Sequence, residues 1–170
     1  MNAGLRARIG RRARVLAACI EGPADIWLVV RMLGWRLVLP GLKWALPLPR
    51  LVQLMWWSSE PSASTPERKR RIATLASGLS GPASIPALDN CLERSLLAYR
   101  YLSKVGAEPE LIVGFSLSGG ALLGHAWVNV DGEAVYGEAE LDGFETTIRF
   151  GRGGAINPSP SGVDGGAVRP

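Results

Sequence analysis

A hairpin signal in the second half of the chain constrains the fold most. Residues 125–130 (His-Ala-Trp-Val-Asn-Val) have the apolar, β-branched composition of a strand, and the pair Asp131-Gly132 follows them. Residues 133–138 then predict a returning strand, and residues 110–117 predict a buried strand earlier in the chain. The sequence therefore predicts an antiparallel sheet in this region.

The expected register of the hairpin brings two polar side chains together. A two-residue turn places Val130 opposite Glu133 and, counting back along both strands, His125 opposite Glu138. Opposed side chains have Cβ atoms about 4.5–5.5 Å apart, so a carboxylate lies beside the imidazole. A bulged or longer turn would shift this register and favour a different carboxylate, Glu140 or Asp142.

A helix with a cysteine in its first turn is predicted ahead of these strands. Asn90 reads as the N-cap, and Glu93 stands three positions later as in a capping box. Apolar residues at helical spacing continue to about Ser103, and Gly106 ends the helix. Cys91 then lies where the positive end of the helix dipole favours a thiolate. The alternative is that Cys91 is a small buried hydrophobe, the commonest fate of a free cysteine.

The order of Cys91, a strand, His125 and an acid favours nucleophilic catalysis. The helix start and the imidazole both stabilise a thiolate, the imidazole can protonate a leaving amine, and the acid orients the imidazole. The backbone N–H of Cys91 is a candidate oxyanion donor, because helix N-termini present free N–H groups.

Composition limits the other classes of protein. The chain has 170 residues and 47% apolar residues, which fits one compact domain with tails. Its two cysteines cannot build a disulfide scaffold and fit a reducing compartment. His125 is the single histidine, which excludes a His-rich metal site and most zinc fingers. We expect no metal and no organic cofactor.

The chain divides by composition into five segments. They are a basic N-terminal segment (1–22), an apolar Trp/Arg-rich helical region (23–57), a linker (58–66), the domain with the helix and strands (67–150) and a disordered Gly/Pro-rich tail (151–170). Within them we predict helices at about 23–39 and 50–57, joined by a Pro-rich turn, and a basic helix at about 67–76. Charges and prolines interrupt the apolar region, which argues against a membrane span.

Charge is distributed unevenly along the chain. Residues 1–72 carry 13 Lys/Arg and 4 Asp/Glu, whereas residues 73–170 carry 6 and 11. A basic front suits an acidic partner or a membrane surface, and the lack of a recognition helix or RNA-binding motif argues against nucleic acid. Packing of residues 23–57 on the core or on a partner is favoured over peripheral membrane contact.

Several motifs together resemble the lasso-peptide leader peptidases. They are Cys-Leu-Glu-Arg-Ser-Leu at 91–96, Leu-Ile-Val-Gly at 111–114, and His-Ala-Trp-Val at 125–128 followed by Asp131-Gly132. This family belongs to the transglutaminase-like branch of papain-type cysteine enzymes. The resemblance covers about residues 66–140 and, more weakly, 24–57. It implies an α+β fold with a papain/transglutaminase-like core, in which a Cys-bearing helix packs against an antiparallel sheet behind an N-terminal helical layer.

The resemblance also implies an activity and its partners. The protein would remove the leader from a ribosomally made lasso precursor, with Cys91 as nucleophile, His125 as general base and then acid, and Glu138 in place of the family's usual Asp. A separate small precursor-recognition protein and an ATP-dependent cyclase would be its partners. The expected location is the cytoplasm, including the inner face of the membrane. The alternatives are an acyltransferase with the same Cys-His pair and a non-catalytic peptide-binding scaffold.

Overall fold

The computed structural model describes residues 20, 22–58, 65–79, 91–118, 120–135 and 143–157 of the chain. The helices in these ranges are α1 (Pro23–Ala45), α2 (Leu48–Met55), α3 (Pro66–Gly78) and α4 (Cys91–Lys104). The strands are β1 (Pro109–Ser118), β2 (Ala121–Val130), β3 (Glu133–Ala134), β4 (Glu145–Phe150) and β5 (Ile156–Asn157). A short 3₁₀ turn at Arg152–Gly154 precedes β5.

Helix α1 is longer than the sequence predicts. We expected it to end at Leu39, and that is wrong, because it continues through Pro40 to Ala45. A proline inside a helix costs about 3 kcal/mol. Leu39 is fully buried and Lys43 pairs with Glu93 of α4, so contacts on both sides of Pro40 offset this cost. Among the helices described, none combines the length and the low charge that crossing a bilayer requires.

Helices α2 and α3 are found within two residues of their predicted positions. At the start of α3, the Thr65 hydroxyl accepts the Arg68 N–H at 3.4 Å, and Pro66 occupies the first helical position. Ile72 and Leu75 are buried, so α3 packs by its apolar side and leaves basic residues outside.

The strands form one antiparallel sheet in the order β3-β2-β1-β4-β5. The predicted hairpin turn is confirmed. Asp131 and Gly132 have φ values of 55° and 85°, as a two-residue type I′ turn requires, and Val130 lies opposite Glu133. Strand β2 begins at Ala121, earlier than expected, and pairs with β1 along its whole length.

Helix α4 shares one hydrophobic core with the sheet and with the helices before it. Its Leu96 and Tyr99 are fully buried, as are Leu111 of β1, Phe150 of β4 and Leu39 of α1, and all belong to the same cluster. The expected α+β architecture is therefore confirmed: the helix that begins at Cys91 packs against an antiparallel sheet, and a helical layer precedes it.

Residues 151–157 are part of the fold, so the prediction of a disordered tail from residue 151 is wrong at its start. The Tyr99 hydroxyl donates to the Gly151 carbonyl at 2.5 Å and accepts the Gly154 N–H at 3.1 Å. A Cβ at Gly154 would lie 2.9 Å from the backbone nitrogen of Gln53, so only glycine allows this approach to α2. Residues 158–170 lie outside the described part of the chain.

Candidate active site

Cys91 is the first residue of α4, as the sequence predicts, and it is a half-buried free thiol. Backbone N–H groups in the first turn of a helix have no partner within the helix, so they face the space in front of it. The predicted N-cap, Asn90, lies outside the described residues. The position of Cys91 fits a nucleophile that has hydrogen-bond donors beside it.

A buried hydrogen bond fixes the start of α4 to β2. Ser95, one turn after Cys91, donates its hydroxyl to the carbonyl of Ala126 at 2.8 Å. On the outer side of β2, away from β1, the Val128 carbonyl accepts a hydrogen bond from the Val135 N–H. Because alternate carbonyls of a strand point the same way, the Ala126 carbonyl also points to that outer edge. The first turn of α4 therefore lies against the outer edge of β2, next to His125.

The His125 side chain points to the face of the sheet opposite α4. Val128 packs into the core with α4, and side chains alternate between the two faces of a strand. His125 is half-buried and stacks on Trp127, with 6.2 Å between ring centroids, and its ring lies 5.2 Å from that of Phe144. The Cys91-bearing turn and the His125-bearing strand thus meet at one sheet edge.

Gly114 makes room for this aromatic arrangement. It pairs with His125 across β1 and β2. A Cβ at Gly114 would lie 2.9 Å from the Trp127 ring and 2.6 Å from the Glu145 carbonyl. The edge of the Trp127 ring therefore lies over the glycine, and the His125 ring lies beside it. This explains why a glycine interrupts the apolar run of β1.

Glu93 anchors α1 to the start of α4, a role that sequence reasoning missed. Its carboxylate is buried and pairs with Arg36, and its Oε1 lies 2.5 Å from Nζ of Lys43. The sequence predicts Glu93 as the acceptor of a capping box with Asn90, which lies outside the described residues, and the partners observed for Glu93 lie on α1. Two cations at helical spacing on an apolar segment are the sequence signal that could have indicated this pairing.

Lys43 also brings a positive charge close to Cys91. Burial lowers the pKa of Lys43 and the charge of Arg36 lowers it further, whereas the interaction with Cys91 raises it. The Coulomb interaction between Lys43 and a Cys91 thiolate is attractive. Helix α1 therefore contributes electrostatically to the surroundings of the thiol.

The expected third member of the site lies outside the described residues. Strand β2 pairs with β3 at Val130–Glu133 and Asn129–Ala134. This is the register that predicts Glu138 opposite His125. Residues 136–142, which include Glu138 and both alternatives, Glu140 and Asp142, are not described. Glu138 thus stays a prediction. Within the described ranges, no cluster of three or more His, Cys, Asp or Glu side chains could hold a metal ion.

Comparison with protein families agrees with this geometry. The family model of the transglutaminase-like superfamily matches residues 29–149. The chain belongs to this superfamily. The match begins within α1 and ends within β4, so in this transglutaminase-like chain it covers both the helical layer and most of the sheet. The expected papain/transglutaminase-like core is confirmed. Members of the superfamily are usually cysteine-dependent enzymes. No curated protein and no solved structure matches the chain significantly.

Proposed function

We propose that this chain is a cysteine peptidase that removes the leader from a ribosomally made precursor of the lasso-peptide kind. The observation that carries the proposal is the hydrogen bond from Ser95 to Ala126, because it holds the Cys91 end of α4 against the strand of His125. Superfamily membership supports the thiol chemistry, and the resemblance of residues 91–96 and 125–128 supports the leader-peptidase role.

In the proposed reaction, Cys91 is the nucleophile and His125 transfers the protons. The Cys91 thiol gives its proton to His125, the sulfur attacks the scissile carbonyl carbon, and the backbone N–H of Cys91 stabilises the oxyanion. His125 protonates the amine of the core peptide as the C–N bond breaks, which leaves the leader as a thioester on Cys91. His125 then removes a proton from water, which attacks the thioester and releases a leader with a free carboxylate.

For this chemistry, the imidazole has to approach the thiol around the outer edge of β2. The ring and α4 start from opposite faces of the sheet, and the Ser95–Ala126 contact brings the helix to that edge. Glu138 on the continuation of the hairpin would orient the imidazole, with Glu140 or Asp142 as the alternative.

An exposed apolar surface in front of Cys91 suits a polypeptide substrate. The start of α4 lies beside Ala126. The end of α4 connects to the start of β1 at Pro109. The N-terminus of α4 therefore faces the other end of β1, where the β1–β2 hairpin turns. Near that tip, Leu117 and Leu122 lie opposite each other and are 78% and 66% exposed. An apolar leader side chain could bury this pair.

The proposed partners follow from the same activity. A separate precursor-recognition protein would present the leader, and an ATP-dependent cyclase would join the freed amine of the core peptide to an acidic side chain. Cleavage yields an amine with no further activation, so ring closure needs a separate enzyme that supplies an activated acyl group.

The experiment is incubation of the full chain with a lasso precursor and a recognition protein, followed by mass spectrometry. A leader with a free carboxylate supports hydrolysis, whereas a leader joined to an added amine identifies the chain as an acyltransferase. Cys91→Ala should abolish both products, with Cys19→Ser as the matched control. Full activity of Cys91→Ala would identify the chain as a non-catalytic scaffold and contradict the proposal.

A further inference from the structure

Helix α1 pairs three of its four charged residues inside the fold and exposes several large apolar residues. Arg36 and Lys43 reach the buried Glu93, and Asp25 lies 3.5 Å from Arg71 of α3. Arg31 is exposed, and beside it seven large apolar residues of this helix are exposed: Ile26, Trp27, Val30, Leu33, Leu37, Val38 and Trp44. We call these seven residues the outer face of α1. A surface helix ordinarily has the reverse arrangement.

The outer face is continuous along the helix. Ile26, Val30, Leu33, Leu37 and Trp44 recur at the helical repeat, and a helix of this length spans about 35 Å. Leu37 is 82% exposed and Trp44 is 94% exposed. A contiguous apolar surface of this kind on a folded chain marks an interaction site.

A basic cleft adjoins one end of the outer face. It has a volume of about 510 Å³ and lies between α1, α3 and α4. Its lining includes Trp27 and Tyr101 together with the cations Arg31, Arg68, Arg71 and Lys104. The acidic residue in this lining is Asp25, which pairs with Arg71. The cleft therefore suits an anionic group, and its Trp27 also belongs to the outer face.

We propose that the outer face of α1 lies on an anionic membrane surface, with a lipid phosphate in the basic cleft. Trp27 and Trp44 stand near opposite ends of the helix, and tryptophan is enriched where a protein meets the lipid headgroups. The charges beside the face match anionic lipid, and residues 1–72 of the sequence carry an excess of nine basic residues. Because α1 does not span a bilayer, it would lie in the plane of the interface. This proposal does not depend on the peptidase function.

The test is sedimentation of the full chain with vesicles of phosphatidylcholine, with and without phosphatidylglycerol, at low and high salt. We expect salt-sensitive binding to the anionic vesicles. Leu37→Gln should weaken it about tenfold or more, whereas Ile156→Gln, a residue 63% exposed on β5, should not. Arg31→Gln and Arg68→Gln should each weaken it about fivefold, with Arg152→Gln as the matched control.

A second measurement guards against variants that fail to fold. Brominated lipid in the anionic vesicles should quench the tryptophan fluorescence of the unmodified chain, and less so in Trp44→Phe. The proposal is overturned if neither kind of vesicle binds, or if the control variants lose binding equally. A chain that is dimeric without lipid, and monomeric as Leu37→Gln, would assign the outer face to a contact between copies and also overturn it.

Discussion

Ser95 of α4 donates a hydrogen bond of 2.8 Å to the carbonyl of Ala126 in β2, and both residues are buried. The bond joins the turn after Cys91 to the residue after His125. It therefore ties the nucleophile's helix to the strand of the proposed base at the edge where the two meet.

Ser95→Ala should impair both stability and cleavage. The substitution leaves the buried Ala126 carbonyl without this donor, which costs about 1–3 kcal/mol in the free energy of unfolding. It also loosens the start of α4 against β2, so kcat/KM should fall. The control is Ser103→Ala near the end of the same helix, where the hydroxyl accepts the Trp57 N–H. We expect a similar loss of stability from the control and unchanged activity per folded molecule, and an equal loss of activity would contradict the role of Ser95.

Glu93→Gln should destabilise the fold strongly. The buried carboxylate neutralises Arg36 and Lys43, and removing one partner of a buried ion pair costs about 3–5 kcal/mol. Glu108→Gln is the control, because the pair of Glu108 with Arg152 is exposed and such pairs contribute about 0–1 kcal/mol. Denaturant unfolding measures both values. Equal effects of the two substitutions would show that Glu93 does not anchor α1.

Gly114→Ala should disturb the surroundings of His125. The added methyl would lie 2.6 Å from the Glu145 carbonyl and 2.9 Å from the Trp127 ring, so the strand or the ring must move, at a cost of about 1–3 kcal/mol. Gly34→Ala in α1 is the opposite case. No neighbouring atom lies within 4 Å of the added Cβ, and alanine is more favourable than glycine in a helix by about 1 kcal/mol. Thermal melting should therefore shift downward for the first variant and upward for the second.

The free energy of unfolding should fall at alkaline pH because the Tyr99 hydroxyl is buried. Burial raises the pKa of Tyr99 from 10.0 to about 12, although the Gly154 N–H opposes the shift. Between these values the unfolded chain releases the phenolic proton while the folded chain retains it, so the free energy of unfolding falls as pH rises, by about 3 kcal/mol in total. Tyr99→Phe removes this contribution. Its unfolding free energy should depend less steeply on pH in this window, and identical slopes would contradict the assignment.

The sequence predicted the elements whose causes are local. The Asp131-Gly132 pair determines its own turn, and the turn fixes Val130 opposite Glu133. The position of Cys91 at a helix start likewise followed from residues close to it in sequence.

The errors arose where distant residues decide the structure. Local preference predicts that a helix ends before Pro40. In the structure the helix continues to Ala45, because burial of Leu39 and the ion pair of Lys43 stabilise it on both sides of the proline. The pairing of Glu93 with α1 likewise does not follow from the residues around Glu93. The glycines after residue 150 predict disorder by composition. In the structure, Gly151 and Gly154 are ordered because both form hydrogen bonds with the Tyr99 hydroxyl.

The most direct test of the proposed Cys91–His125 pair is the rate of Cys91 alkylation by iodoacetamide as a function of pH. It is measured in the Cys19→Ser background, with and without His125→Gln. We expect fast alkylation that persists to neutral pH, and we expect the His125 variant to lose it while the fold is retained. Identical pH profiles for the two proteins would show that the imidazole does not act on the thiol and would contradict the peptidase mechanism.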